Sequence, residues 1–316
     1  MTHEEEKAVR AVLCDMPLFR NNQARIERLG GLTNKVYRIG DHVLRIPGEG
    51  TAEYINRTHE AASARIAAQA GVSPAILYAD PTSGIMVSEF VSHAVTMSPQ
   101  AFKERLGSPA RAGLALMKLH TSGDVFPFRF ELFSMIDDYL KLLSAKDVEL
   151  PDGYSQLVQE ATKIRTALSK NPAKLVPCHC DPLCENFLDD GHRMWIVDWE
   201  YSGMNDPMWD LGDLSVEGGF SDEQDIEMLS AYFGTNPSAS DYARMVIYKA
   251  MCDLLWTLWG LIQHANKNPA DDFHAYALYR FGRCKRLMAS SDFARHLSVI
   301  SALPPAAVRT SKHALN

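Results

Sequence analysis

The segment that most constrains the fold is a loop followed by a short strand, over residues 179–198. The loop reads His-x-Asp-x-x-x-x-Asn, in which Asp181 and Asn186 are the polar positions. After a turn, the apolar strand Met194 to Val197 leads directly to Asp198. A carboxylate that leaves a strand beside an asparagine on a neighbouring loop supplies the oxygen ligands that Mg²⁺ prefers when it bridges phosphates. The segment therefore predicts a loop and a strand that lie side by side around a polar site.

The chain is long enough to bury a sizeable core. It has 316 residues, of which 46% are hydrophobic and 22% charged, as in globular proteins built as two domains or one bilobal unit. The 39 acidic residues outnumber the 32 lysines and arginines, which gives a net charge of −7. This balance argues against a nucleic-acid partner, which needs a clustered basic surface. It favours small cationic ligands or metal ions.

Neither an export signal nor a membrane span is predicted. The N-terminal sequence is acidic where a secretory leader is basic, and no apolar leader core follows it. The longest strongly apolar stretch, 254–262, is well below the ~18 residues that a spanning helix needs. Without an export signal, the six cysteines are expected to be reduced thiols and the expected location is cytoplasmic.

Hydrophobic spacing changes in character near residue 92. Before this point the predicted elements are a helix within 3–28, a hairpin of strands 36–39 and 43–46 at a sheet edge, a helix over 53–70, and strands at 74–78 and 84–91. After it the predicted helices cover 99–122, about 131–145, 154–170, about 240–266 and 271–290, with strands near 175–176 and 194–197. A tail that begins at Leu303 is expected to be loosely held.

These patterns predict an α+β fold of two lobes. The N-terminal lobe, 1–92, is expected to hold a small antiparallel sheet with a helix, and the C-terminal lobe, 93–316, to be larger and mainly helical. In the N-terminal lobe, a Gly-Gly-Leu-Thr-Asn turn at 30–34 would let backbone N–H groups approach phosphate. Arg45, on the second hairpin strand, and Glu60, in the next helix, would form a cation and its supporting carboxylate.

The loop pattern is typical of a kinase catalytic loop, and the chain as a whole resembles the choline/ethanolamine kinases. This family lies within the wider aminoglycoside-phosphotransferase and protein-kinase-like superfamily. The resemblance covers about residues 29–285 and rests on Gly31-Leu32-Thr33-Asn34, Val43 to Gly48, Ile55-Asn56-Arg57 with Glu60, His179 to Asn186, Asp198 to Pro207, and Asp210-Leu211-Gly212.

The resemblance implies a protein-kinase-like bilobal fold that binds ATP and Mg²⁺ between its lobes. It implies transfer of the γ-phosphoryl group to the hydroxyl of a small amino alcohol, with choline as the leading acceptor. Asp181 would orient or deprotonate that hydroxyl, while Asn186 and Asp198 would hold Mg²⁺. The implied nucleotide-binding positions are Thr33, Asn34, Arg45 and Glu60, together with the hinge residues Glu89, Phe90 and Val91, whose backbone would meet adenine.

The resemblance also implies an ammonium-binding group formed by Glu217, Trp256, Trp259 and Tyr276. Trp256 and Trp259 are three residues apart on one predicted helix, so their rings project from the same face, and tryptophan is the best ring for a quaternary ammonium. The helix is apolar nearly all round, however, and both tryptophans could equally be core residues on periodicity alone.

Several alternatives remain open on the sequence. The acceptor could be ethanolamine, thiamine or an aminoglycoside instead of choline, and a non-catalytic nucleotide-binding regulator is a further alternative. The oligomeric state is left open. Cys178, Cys180 and Cys184 have a spacing that zinc sites use, but the sequence shows no second ligand cluster nearby. Within the resemblance, Arg45 replaces the lysine of most kinases, and Cys180 stands where glycine or asparagine is usual.

Overall fold

The computed structural model describes residues 1–20, 23–30, 34–48, 51 and 55–303. These residues form an antiparallel N-terminal sheet with two helices, followed by a larger and mainly helical part, which confirms the predicted α+β class. The N-terminal elements are α1 (His3–Cys14), β1 (Ile26–Gly30), β2 (Lys35–Ile39), β3 (His42–Ile46), α2 (Arg57–Gln69), β4 (Ile76–Ala79) and β5 (Met86–Glu89).

The N-terminal sheet has five strands in the order β1-β2-β3-β5-β4. Its neighbouring strands are antiparallel. The β2–β3 hairpin was predicted at a sheet edge, but it lies inside the sheet, because β1 pairs with β2 and β5 pairs with β3. Tyr37, Leu44 and Val87 are buried and pack with Val9 and Leu13 of α1 in a small core of their own.

The opening helix is shorter than the sequence predicted. α1 ends at Cys14, and Pro17 begins a 3-10 turn that ends at Phe19. A proline inside a helix removes a backbone donor and clashes with the preceding turn, so the helical pattern stops here. Residues 26–28, the end of the predicted helical window, belong to β1 instead, and Ile26 and Phe19 fill the same small core as α1.

The second helix connects the sheet to the rest of the molecule. Residues 52–54, where its predicted start falls, lie outside the described residues, and α2 begins at Arg57. The side chain of Asn56 caps it by accepting hydrogen bonds from the N–H groups of the next turn. Ala64 and Ala67 of α2 pack on the large C-terminal core and not on the small N-terminal one. Their small side chains let the two parts of the chain approach closely.

The C-terminal part contains most of the predicted helices at the predicted places. Its elements are β6 (Val95–Thr96), α3 (Pro99–Glu104), α4 (Ser108–His120), α5 (Leu132–Ala145), α6 (Tyr154–Lys170), β7 (Val176–Cys178), β8 (Phe187–Asp189), β9 (Met194–Ile196), β10 (Gly203–Asn205), α7 (Pro207–Gly218), α8 (Asp222–Phe233), α9 (Ala239–Ala265), α10 (Phe273–Met288) and α11 (Ser291–Ser301). The single helix predicted over 99–122 is wrong. It is two helices, separated at Gly107, whose φ of +72° breaks the helical path.

The sequence analysis missed α7, α8, α11 and the shortest strands. Strands of two or three residues give no readable alternation, and nearly every residue of α7 is buried, its acids included, so this helix has no solvent-exposed polar face to mark it. Instead, α7 packs against α9, the 27-residue helix at the centre of the large core. By length and composition α9 could also cross a membrane, but 89% of its apolar window is buried inside the protein, as in a core helix.

The start of the tail is held by the core, contrary to expectation. Leu303 packs against the large hydrophobic cluster. The side-chain amide of Asn171 donates to the carbonyl oxygens of Ile300 and Leu303, each at 3.4 Å. The prolines that follow, residues 304 and 305, lie outside the described residues.

Close packing of α7 on α9 predicts a sharp response to one added methyl group. A Cβ at Gly212 would lie 2.7 Å from the carbonyl oxygen of Met245 and 3.1 Å from the backbone nitrogen of Lys249, and neither backbone atom has room to move. We expect Gly212→Ala to lower the free energy of unfolding by about 1–3 kcal/mol. Gly282→Ala, where the nearest atom is a flexible arginine nitrogen at 3.4 Å, should instead stabilise α10 by up to about 1 kcal/mol. Denaturant unfolding of both variants checks this, and equal effects would contradict it.

Candidate active site

A buried carboxylate on α7 fixes the loop that follows β7. The Asp210 side chain is fully buried, and its two oxygens accept the backbone N–H groups of His179 at 2.7 Å and Cys180 at 2.9 Å. Cys180 has a φ of +67°, in the left-handed region that glycine and asparagine adopt most easily. The structure thus gives the physical reason for the usual residues at this position. The two hydrogen bonds to Asp210 stabilise the turn that cysteine must adopt here.

Two further side chains support Asp210 from α4 and α8. His120 Nε2 lies 3.0 Å from the second oxygen of Asp210, and His120 Nδ1 lies 3.0 Å from the hydroxyl of Tyr232. The sulfur of Cys178 is close enough to His120 and Asp210 for the three to form a potential metal group, so cysteine-compatible ligands do lie nearby, contrary to the sequence analysis. Both Asp210 oxygens already accept backbone hydrogen bonds, which makes this group a satisfied hydrogen-bond network.

The loop brings Asp181 and Asn186 together. The side-chain amide nitrogen of Asn186 donates to the carbonyl oxygen of Asp181 at 3.0 Å, so its amide oxygen is the atom that remains for a ligand. Burial, reinforced by the negative charges of Glu217 and Glu200, raises the pKa of the Asp181 carboxyl to about 7, against the opposing effect of Arg280. The carboxyl group of Asp181 is therefore influenced by two other acids, Glu217 and Glu200.

The strand after the loop delivers Asp198 to the same place. The N–H of Val197 donates to the carbonyl oxygen of Asn186 at 2.9 Å, so loop and strand lie side by side as predicted. Asp198 follows with a φ of +67°, and its carboxylate lies 3.4 Å from the guanidinium of Arg45. Burial and the neighbouring carboxylate of Glu200 raise the pKa of Asp198 well above its usual range.

A charged cluster joins the sheet, α2 and the segment after β9. Arg45 forms an ion pair with Glu60, as the sequence predicted, and also approaches Glu200 at 3.2 Å. Arg57, which the sequence analysis did not assign to the site, bonds Glu60 and Glu200 at 2.7 Å each. Asn34 donates to the same Glu200 oxygen at 2.9 Å. Thr33, the other predicted residue of this turn, lies outside the described residues.

The donor set fits a divalent metal ion. Oxygen atoms of Glu60, Asp198 and Glu200 lie within 4.8 Å of one another, and the cluster has three carboxylates for the two guanidinium groups of Arg45 and Arg57. Carboxylate and amide oxygens are the ligands that Mg²⁺ uses. The excess of acid is one that a divalent cation would balance.

Two of the predicted hinge residues already use their backbone N–H groups in hydrogen bonds within the N-terminal lobe. The N–H of Glu89 donates to the carbonyl oxygen of Ala75 at 3.0 Å, and that of Phe90 donates to Asp41 at 2.9 Å. The Phe90 ring is covered by the guanidinium of Arg38, 3.9 Å from the ring centre. Neither N–H is therefore available for a hydrogen bond to the adenine of a nucleotide. Val91 is the predicted hinge residue that remains.

The predicted aromatic residues form one group between α9 and α10. The rings of Trp256 and Trp259 meet edge to face at 6.4 Å, and Tyr276 lies 5.7 Å from Trp259. Gly260 allows this contact, because a Cβ there would lie only 2.7 Å from the Tyr276 ring. Tyr201, which the sequence analysis did not assign, adds an edge-to-face contact with Trp256 at 5.6 Å. The structure thus brings the three predicted rings together.

Glu217, the predicted partner of an ammonium, is ion-paired within the protein. Its carboxylate lies 2.5 Å from Arg280 and 3.5 Å from Arg283. One helical turn earlier, Asp213 is buried beside Trp256, whose indole N–H donates to it at 3.3 Å. Sequence reasoning missed Asp213, although it directly follows the quoted Asp210-Leu211-Gly212 stretch, because the residue alone gives no signal of burial.

The chain is similar to known phosphotransferases in sequence and in fold. The phosphotransferase enzyme family matches residues 25–248. The chain belongs to this family. A crystal structure of a choline/ethanolamine kinase family protein from Mesorhizobium loti is 61% identical, covers 94% of this chain and 99% of that one, and superposes with a TM-score of 0.89. At this identity the choline/ethanolamine kinase branch of the family is shown as well.

Two more distant relatives support the same assignment. The crystal structure of choline kinase LicA from Streptococcus pneumoniae is 26% identical, covers 90% of this chain and 99% of that one, and has a TM-score of 0.74. Ethanolamine kinase 2 of Mus musculus is 26% identical over 307 residues, covering 84% of this chain and 77% of that protein. The chain is therefore a kinase of the choline/ethanolamine type, with an alcohol as phosphoryl acceptor and a protein-kinase-like fold.

Because Asp210 holds the loop through two backbone N–H groups, its replacement by an amide should loosen the site of this kinase. The asparagine oxygen can accept one of the two N–H groups, but the amide NH₂ cannot accept the other. We expect Asp210→Asn to lower the free energy of unfolding by about 1.5–3 kcal/mol, as for lost hydrogen bonds to a charged group. Urea unfolding against Asp152→Asn, an exposed matched change, measures it. Unfolding equal to that of the control would show that Asp210 does not carry the loop.

Proposed function

We propose that the chain transfers the γ-phosphoryl group of ATP to the hydroxyl of choline. The observation that carries this proposal is the group formed by the rings of Trp256, Trp259 and Tyr276. Asp181 belongs to the same surroundings, because its negative charge contributes to the raised pKa of the Tyr276 phenol. Aromatic rings attract a quaternary ammonium, which cannot donate a hydrogen bond. The choline hydroxyl would then face Asp181.

The nucleotide would lie between the N-terminal lobe, 1–92, and the C-terminal lobe, 93–316. Arg45, fixed by Glu60, is the cation suited to the α- and β-phosphates, and Thr33 and Asn34 belong to the turn that would cover them. The hinge would contact adenine through Glu89, Phe90 and Val91. Among these we favour the Val91 N–H, since those of Glu89 and Phe90 are used within the sheet.

Asn186 and Asp198 are the residues that would hold Mg²⁺, through the Asn186 amide oxygen and the Asp198 carboxylate. The ion would neutralise phosphate charge during transfer. The protein's own residues contribute by placing the metal-binding groups. Asn186 and Asp198 are fixed by the loop-to-strand hydrogen bond between Val197 and Asn186. Precise placement of reactants accounts for much of the rate enhancement in phosphoryl transfer.

Asp181 would orient the acceptor hydroxyl and accept its proton. The Asp210 hydrogen bonds fix the backbone just before it, and the Asn186 amide holds its carbonyl oxygen, so its carboxylate is presented in a defined direction. A general base contributes typically 10²- to 10⁴-fold to a rate. The reaction needs an ATP pool, which agrees with the predicted cytoplasmic location.

Ethanolamine is the second candidate acceptor. A relative that is 26% identical carries the name ethanolamine kinase 2, and the aromatic group adjoins the buried carboxylate of Asp213, which suits a protonated amine. Both acceptors share the hydroxyl chemistry and differ only at nitrogen. The proposal therefore concerns the choice of nitrogen group within one reaction.

Asp181→Ala should lower kcat for choline phosphorylation by at least about 100-fold with little change in KM for ATP. The loss follows from removal of the proton acceptor and of the hydroxyl's orientation. A coupled assay of ADP release with choline, ATP and Mg²⁺ measures it. Near-normal turnover of the variant would show that another group has this role.

Trp256→Ala and Trp259→Ala should each raise KM for choline by about 10- to 30-fold, because a desolvated cation–ring contact contributes on the order of 2 kcal/mol. The matched control is Trp195→Ala, since Trp195 stacks with Arg193 and bonds Asp190, away from the aromatic group. Steady-state kinetics with choline as the varied substrate make the comparison. An unchanged KM in both variants would rule out an aromatic ammonium site.

A further inference from the structure

Three acids lie along one face of α7. Asp210, Asp213 and Glu217 are spaced by three and four residues, which places them in a row on a helix. The first holds the catalytic loop, and the third is ion-paired with Arg280. Asp213 lies between them. Its charge, like that of Asp181, contributes to the raised pKa of Tyr276, so it belongs to the surroundings of the proposed acceptor site.

The charges beyond Asp213 balance without any ligand. Arg283 contacts both oxygens of Asp253 at 2.6 and 2.7 Å, and Arg280 lies 3.2 Å from Asp253 and 2.5 Å from Glu217. Two carboxylates and two guanidinium groups thus form a neutral quartet. Glu217 is therefore already ion-paired before any ligand binds, although its negative charge still adds to the effect of burial in raising the pKa of Asp181 and of Asp213.

Among the described residues Asp213 forms no ion pair, although the charge of Arg280 partly opposes the rise in its pKa. It is 1% exposed, and one oxygen accepts the indole N–H of Trp256 at 3.3 Å. Its other oxygen, Oδ1, is buried and has no hydrogen-bond partner among the described residues. Burial and the negative charges of Glu217 and Asp181 raise the pKa of Asp213 well above its usual range. A buried carboxylate without a cation is costly, and a cationic ligand would relieve that cost.

We propose that Asp213 is a second carboxylate, besides Glu217, that faces the acceptor's ammonium, and that Asp213 decides how turnover depends on the nitrogen's substituents. The inference rests on the proposed function. An ammonium with at least one N–H donates to Asp213 Oδ1, while a quaternary ammonium is held by the rings and gains only the charge. Trp256 joins the two modes, since its ring belongs to the aromatic group and its N–H orients Asp213.

A graded acceptor series tests this directly. Ethanolamine, N-methylethanolamine and N,N-dimethylethanolamine carry at least one N–H when protonated, and choline carries none. We expect Asp213→Asn to lower kcat/KM by about 10- to 100-fold for the first three acceptors, as for a lost hydrogen bond between charged groups, and by a smaller factor of about 3- to 5-fold for choline, which loses only the charge. Glu217→Gln should affect all four acceptors alike, and Asp152→Asn, an exposed matched change, should affect none.

Stability measurements separate a specific loss from misfolding. Because the folded-state pKa of Asp213 is raised, its contribution to stability falls as pH rises above the unfolded value. Without ligand at pH 8, Asp213→Asn should therefore unfold at the same or a higher temperature than the unchanged chain, with a smaller difference near pH 5. If that variant does not fold, Trp256→Phe, which keeps a ring and removes the N–H that orients Asp213, should give the same selective loss, about 3- to 10-fold.

The outcomes distinguish a failure of the Asp213 assignment from a failure of the proposed function. A penalty that persists from ethanolamine to the dimethyl compound and falls to the smaller charge-only value at choline supports the assignment of Asp213. An equal penalty for all four acceptors, or a selective penalty in Glu217→Gln alone, overturns it. Absence of turnover with all four acceptors in the unchanged chain instead overturns the proposed function.

Discussion

The site depends on a single buried carboxylate, that of Asp210. Its two oxygens hold consecutive N–H groups of a turn in which Cys180 has a left-handed backbone, a conformation that costs a non-glycine residue free energy. The neighbouring Trp209 donates its indole N–H to the carbonyl oxygen of Cys180 at 3.0 Å. The first turn of α7 thus binds both the backbone N–H and the carbonyl oxygen of Cys180. The position of α7 therefore determines the position of Asp181.

The position of α7 is in turn fixed by α9. Asp206 caps α7 and also accepts bonds from Arg244 at 2.5 Å and Tyr248 at 2.9 Å, both on α9. One turn later Gly212 lets the two backbones approach closely. Since α9 also carries Trp256 of the aromatic group, one buried helix sets the distance between the catalytic loop and the proposed acceptor site. This explains why a helix so apolar lies at the centre of the fold.

The sequence was most informative where chemistry demands particular residues at particular spacing. Asn186 and Asp198 lie on neighbouring segments, and Arg45 pairs with Glu60, as motif reasoning predicts. Sequence reasoning failed where the burial of a residue determines its structure and its partners. α7 carries acids on a helix that is buried nearly all round, so its pattern resembles a loop, and the pairing of Glu217 with Arg280 depends on two helices that only the fold brings together. Asp213 differs from Glu217 in its partners, which no sequence pattern reveals.

The same acids explain the charge of the chain and its readiness for ligands. The cluster of Glu60, Asp198 and Glu200 has three carboxylates for two guanidinium groups, and Asp181 and Asp213 lie outside the neutral quartet. Glu217 of one group and Glu200 of the other both add to the effect of burial in raising the pKa of Asp181. A ligand-free fold must bear this repulsion in a poorly solvated cleft. A cation that binds the folded protein and not the unfolded chain therefore stabilises the fold. The repulsion that destabilises the ligand-free protein then contributes to the free energy of ligand binding.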